Sequence, residues 1–136
     1  MQASSGYRGL RVDAHRDFTG DGRSPALVRR FVSQVLDDWG IEVGPIRDTL
    51  VLLASELATN AVEHTYDGFS VDLRASDEAV RVEVRDREPT LPTLQEPDPL
   101  AENGRGMVLV DRLASAWEAE PVPGDGKVVW FELALG

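Results

Sequence analysis

The sequence predicts an α+β fold, an antiparallel-rich sheet covered by helices. Three observations carry that prediction. Two segments repeat apolar residues at helical spacing, two shorter ones alternate apolar and polar residues about a turn, and the C-terminal residues read as a hairpin.

The elements follow in chain order. Residues 7–16 read as an edge strand. Ser24-Pro25 predicts a helix start, with Ser24 as the cap and Pro25 at the first helical position. Ala26, Leu27, Phe31, Val32, Val35 and Leu36 continue that helix, and Gly40 ends it. A longer helix begins near Gly44-Pro45 and runs to about His64, with Ile46, Leu50, Leu53, Ala54, Leu57, Ala58, Ala61 and Val62 as its apolar positions. Residues 69–75 and 79–84 alternate as half-buried strands do, with Asp77-Glu78 in the turn between them. Residues 88–103 are acidic and carry Pro89, Pro92, Pro97 and Pro99, so no regular element is expected there. Gly104-Arg105-Gly106 opens a third helix that runs through Ala114. Residues 117–121 and 127–135 close the chain as a hairpin about Pro123-Gly124-Asp125-Gly126.

Composition narrows the function classes. The chain has 136 residues, the size of one domain, with 42% hydrophobic and 28% charged residues, as in a soluble globular protein. The formal net charge is -10 and no basic stripe is visible, which argues against nucleic acid and against anionic membranes. A nucleotide remains compatible, because backbone N–H groups and a metal ion can hold it. With no cysteine there is no disulfide, thiolate metal site or cysteine nucleophile. Residues 1–10 lack the apolar run of a signal peptide, and no stretch approaches a membrane span, so a cytoplasmic location is expected. Lys127 is the only lysine, a bias attributed to codon usage rather than to function.

The informative segment is Ser55-Glu56-Leu57-Ala58-Thr59-Asn60-Ala61-Val62-Glu63-His64. Glu56 and Asn60 are four apart and share a helix face, which Glu63 and His64 extend by a turn. A solvated amphipathic face accounts for many such stripes. This one contains the weak helix formers Ser55, Thr59 and Asn60 and no basic partner. Asn60 offers an amide oxygen suited to Mg²⁺, and a carboxylate one turn away suits the activation of a hydroxyl or water. Gly104-x-Gly106 before a helix suits backbone approach to a phosphate, and equally an ordinary helix start after a loop. Asp86, after a strand, suits an exocyclic amine or a turn.

Taken together, these pieces resemble the GHKL, or histidine-kinase-type, ATPase superfamily in the form of stand-alone anti-sigma factor serine/threonine kinases. The segment from Ser55 to His64 is similar to the superfamily's N-box. Val82-Glu83-Val84-Arg85-Asp86, with Pro89 and Pro92 after it, resembles the next motif, and Gly104-Arg105-Gly106-Met107-Val108-Leu109-Val110 resembles the glycine-rich motif after the ATP lid. Leu113-Ala114-x-x-Trp117 and Gly126-Lys127-Val128-Val129-Trp130-Phe131 resemble the closing segments, so the likeness spans residues 24–135. It implies one domain over 1–136, with an N-terminal strand and loop at 1–23 and an ATP lid at 87–103. The implied architecture is a two-layer α/β sandwich of the Bergerat type, a mixed, mostly antiparallel sheet with helices on one face.

The resemblance also implies roles. Glu56 is the catalytic base and Asn60 the Mg²⁺ ligand. Glu63, His64, Asp86, Gly104, Arg105, Gly106, Met107 and Val128 line the ATP site, with Asp86 on the adenine amino group. The implied reaction is phosphate transfer from Mg-ATP to a serine or threonine of an anti-sigma factor antagonist. The implied partners are that antagonist and a sigma factor, and such proteins often act as homodimers.

Three features depart from the family pattern. Glu88 stands where a glycine or small residue is frequent, and Val128 stands where threonine is frequent. Residues 88–104 carry Glu96, Asp98 and Glu102 but no base. These departures favour a second reading, a non-catalytic nucleotide- or protein-binding regulatory module on the same fold.

Overall fold

The computed structural model describes residues 12–41, 44–64, 67–88 and 105–135. The alternating segments form the centre of one sheet. Strand β2 (Phe69–Ala75) and strand β3 (Ala79–Asp86) pair in antiparallel register from Phe69 opposite Asp86 to Ala75 opposite Val80. Between them Ser76 replaces missing ladder bonds, its Oγ accepting from the Glu78 N–H at 3.1 Å. Strand β1 (Val12–Phe18) lies outside β2, and strand β5 (Lys127–Ala134) pairs with β3. Strand β4 (Ala116–Pro121) borders β5, giving the order β1-β2-β3-β5-β4. The expected sheet was mixed and mostly antiparallel. All four ladders among the described residues are antiparallel, since hairpins or returning strands make each one.

Pleating then sorts the side chains. Val71, Leu73, Val80, Val82 and Phe131 are fully buried on one face. On the other face Arg74 and Arg85 are exposed, and Arg81 lies over the Trp130 ring at 3.8 Å while bonding Glu83 and Glu132. The helices cover the apolar face. Helix α1 (Ser24–Asp38) buries Val28, Val32 and Leu36, and helix α2 (Gly44–His64) buries Leu50, Leu53 and Leu57. α2 is the hub, packing on α1, on β3, on β5 and on helix α3 (Arg105–Leu113). This is the expected two-layer α+β sandwich.

The ends of α1 differ in how well they were foreseen. Gly40 adopts φ 72 just past the helix. Its N–H bonds the Asp37 carbonyl at 3.0 Å and that of Ile41 bonds Leu36 at 2.9 Å, a Schellman ending that needs a left-handed residue. At the other end Ser24 is not the cap. The cap is Arg23, without a side-chain bond, and Ser24 is buried inside the first turn with its hydroxyl donating to the Thr19 carbonyl. Asp21 orders this entry instead, accepting from the Arg23 N–H at 2.9 Å and from the Thr19 hydroxyl at 2.8 Å.

Strand limits also moved. The first strand runs to Phe18 rather than residue 16, and its expected part at 7–11 lies outside the described residues. β3 reaches Asp86 rather than stopping at Val84. The inward alternation Val80, Val82, Val84 continues into a charged residue, which a hydrophobic pattern cannot recognise as strand. Most of the expected lid, residues 89–103, lies outside the described residues.

Candidate functional site

α2 starts at Gly44-Pro45 and keeps a continuous apolar stripe through Ala61, so its opposite side is free to carry polar groups. Glu56, Thr59 and Asn60 are half-buried and Glu63 is exposed. Ser55 does not belong to that face. It is buried, and its hydroxyl donates to the Leu52 carbonyl at 2.8 Å, turning back on its own helix. His64 closes α2, and its side chain lies outside the described residues.

The electrostatics of this face centre on Glu56. Burial pushes its carboxyl above the ordinary range, the negative charge of Glu63 two turns on adds to the rise, and Arg29 on α1 opposes it. A half-buried carboxyl with raised proton affinity suits a base that must accept a hydroxyl proton near neutral pH. Asn60, one turn along, adds an uncharged oxygen suited to a hard cation. Among the described residues no group of three or more His, Asp or Glu converges as a metal cage. A Mg²⁺ ion on this face would therefore take most of its ligands from phosphate and water, its usual habit.

The second part of the site lies at the end of β3. Asp86 is 4% exposed and Lys127, opposite it on β5, is 1% exposed. Lys127 Nζ donates to Asp86 Oδ1 at 3.0 Å and to the Glu88 carbonyl at 3.1 Å. The Glu88 N–H donates to the same Oδ1 at 2.8 Å. A carboxylate, an ammonium and the backbone N–H and carbonyl of Glu88 thus compensate one another where little water reaches. Gly126 makes this approach feasible. It has φ 83, and a Cβ there would overlap the Asp86 carbonyl oxygen and Arg87 Cα.

Lys127 is the member of this cluster that sequence reasoning did not single out. A signal existed: Asp86 and Lys127 both fall at inward positions of alternating strands, beside a Gly that punctuates a turn. What hid it was that neither residue looks like a core residue on its own.

The remaining sequence-chosen residues divide. Met107 is 3% exposed and packs in the core, so only its backbone is available at the start of α3. Arg105 and Gly106 stand in the first turn of α3, with side chains outside the described residues, and Gly104 lies outside them altogether. The first-turn amides of α3 have no partners within the helix, which suits an anion. Val128 is separated from the others. Its neighbours Lys127 and Val129 point to the helix-covered face, so Val128 points to the opposite one, beside Arg81, Arg85 and Glu120. Asp86 also borders an open hollow of about 290 Å³ at the sheet end, whose lining includes Asp17, Asp125 and Arg87 but no α2 residue. Among the described residues no helix is long and apolar enough to cross a membrane.

A comparison with protein families matches residues 18–133 to the family described as histidine kinase-like ATPase domain. A comparison with curated proteins found no match.

Proposed function

Because the chain belongs to the histidine kinase-like ATPase family, whose fold binds ATP, we propose that it is a Mg-ATP-dependent serine/threonine protein kinase of the anti-sigma factor type. Its substrate is an antagonist protein in a partner-switching system, its second partner a sigma factor, its working state a homodimer and its location the cytoplasm. The observation that carries the reading is the pairing of Glu56 with Asn60 on one face of α2, with Glu56 held in a more basic state by burial and by Glu63.

In this reading the substrate hydroxyl lies beside Glu56. Glu56 accepts its proton as the hydroxyl oxygen bonds to the γ-phosphorus. The bond from that phosphorus to the β–γ bridging oxygen breaks, ADP leaves, and Glu56 returns the proton to solvent. Asn60 supplies an oxygen ligand to Mg²⁺, which when bound neutralises charge on the phosphates. Asp86 accepts a hydrogen bond from the adenine amino group, and the first turn of α3 meets the phosphates.

Single-turnover transfer from labelled ATP to a serine-bearing antagonist tests the proposal. Glu56→Ala should slow transfer by at least about 100-fold while ATP still binds. Equal transfer by wild type and variant would remove Glu56 as the base.

A specific observation favours a second reading, a non-catalytic regulatory module. The Asp86 and Lys127 side chains are both only 2% exposed, which restricts access of a base to the carboxylate. Calorimetry with ATP, with and without Mg²⁺, together with the single-turnover assay separates the two readings. Saturable binding that weakens when Mg²⁺ is withheld, with phosphate transfer, supports the kinase, and the same binding without transfer supports a nucleotide-binding module. Absence of binding at millimolar ATP supports the module.

A further inference from the structure

We propose that Lys127 is a positioning residue for nucleobase recognition, holding the Asp86 carboxylate and the root of the segment after β3 as one unit. This rests on the reading of Asp86 as the base-binding carboxylate. Three bonds carry it: Lys127 Nζ to Asp86 Oδ1, Lys127 Nζ to the Glu88 carbonyl, and the Glu88 N–H to Asp86 Oδ1. They close a ring through one side-chain pair and the backbone N–H and carbonyl of one residue, Glu88. Both bonds to the carboxylate fall on Oδ1, which restrains its rotation and, in this reading, leaves Oδ2 as the acceptor for an exocyclic amine.

Water is a poor substitute for the ammonium here, because both side chains are only 2% exposed. The position is also set from below. Gly126 brings the β5 backbone against Asp86 and Arg87 at a distance no side chain permits, and this seats Lys127 opposite the carboxylate. The same ammonium reaches past Asp86 to the first residue beyond Arg87, so base contact and the conformation of the chain leaving β3 share one anchor. The departure at Glu88 takes on meaning in this light. The backbone N–H and carbonyl of this position are both engaged in the ring.

The test uses the 136-residue chain labelled with ¹⁵N-lysine, in which Lys127 is the sole lysine and gives one side-chain ammonium signal. It is titrated with Mg-ATP and with the Mg complex of purine riboside triphosphate, which lacks the 6-amino group. ATP should shift the Lys127 signal at saturation, and the analogue should shift it by less than about half as much. By calorimetry, K127M should weaken ATP about tenfold and leave the analogue within about twofold. The preference for the amino group then disappears, as it should in D86N.

An unmoved Lys127 signal at saturating ATP would overturn the positioning role while leaving Asp86 in place if D86N still loses the preference. A D86N chain that keeps the full preference would overturn the reading of Asp86, and the role of Lys127 with it. A wild type that binds neither nucleotide would overturn both. Should K127M fail to fold, the wild-type titration decides.

Discussion

Glu56 on α2 and Asp86 at the end of β3 are both carboxylates on secondary elements, yet their surroundings are opposite. Glu56 is half-buried and faces the like charge of Glu63, with Arg29 as the opposing cation among the described residues. Asp86 is almost fully buried and holds an ammonium and a peptide N–H on one oxygen. The first is left hungry for a proton, as a base should be. The second is oriented and compensated, as a recognition group should be. In the proposed reading, these neighbours suit two chemically similar groups to different work.

Removing one neighbour should break the comparison most sharply. K127M leaves Asp86 buried without its cation, and urea unfolding should show a loss of about 3–5 kcal/mol. Adding Asp86→Asn to K127M should recover much of that loss, because no lone charge is left inside. An undiminished loss in the double variant would mean that Lys127 matters through packing rather than charge.

Gly126→Ala should come next. The new Cβ meets Asp86 and Arg87 backbone at a positive φ, so a loss of at least about 2 kcal/mol is expected by the same measurement. Wild-type stability would contradict the close approach of β5 to the end of β3.

A smaller effect sharpens the other side of the comparison. Folding raises the proton affinity of Glu56, so its favourable contribution is complete below the ordinary carboxyl value of 4.5 and is lost as pH rises through the raised one. At pH 7 the ionised group is therefore a liability. Glu56→Gln should raise Tm there by only about 1–2 °C, since much of the group is solvent-screened, and the gain should vanish near pH 4. A gain of the same size at both pH values would point to packing instead.

The mildest change is Glu63→Gln. It removes the like charge that adds to the Glu56 rise and should shift the acidic limb of phosphotransfer to lower pH, by less than about half a unit. A shift to higher pH would mean that Glu63 does not act on Glu56 through charge.

Much of the fold was legible in the sequence because it is locally encoded. Both boundaries of α2 and the whole of β2 coincide with expectation, since the 3.6- and 2-residue periods are unbroken there and Gly44-Pro45 and Gly68 punctuate them. The failures fall where a serine hydroxyl turns to a nearby backbone carbonyl. Ser24 looks like a cap but is drawn under the Thr19 carbonyl, and Ser55 looks like part of a polar stripe but turns back to Leu52. A hydroxyl satisfies itself in either way, and spacing does not distinguish them.

Local pattern by itself determined the helices, the central hairpin, the closing hairpin and the shared face of Glu56 and Asn60. Those features need only neighbours within a turn or two, where the chain's own geometry dictates who meets whom. Tertiary structure alone decided that Asp86 and Lys127, 41 residues apart, form one buried pair, and that Val128 turns away from them. Both outcomes depend on which strand lies beside β3 and in what register, and a one-residue slip would exchange Lys127 and Val128 between the faces. That register is set by the packing of the whole sheet against α2, not by any residue in the pair.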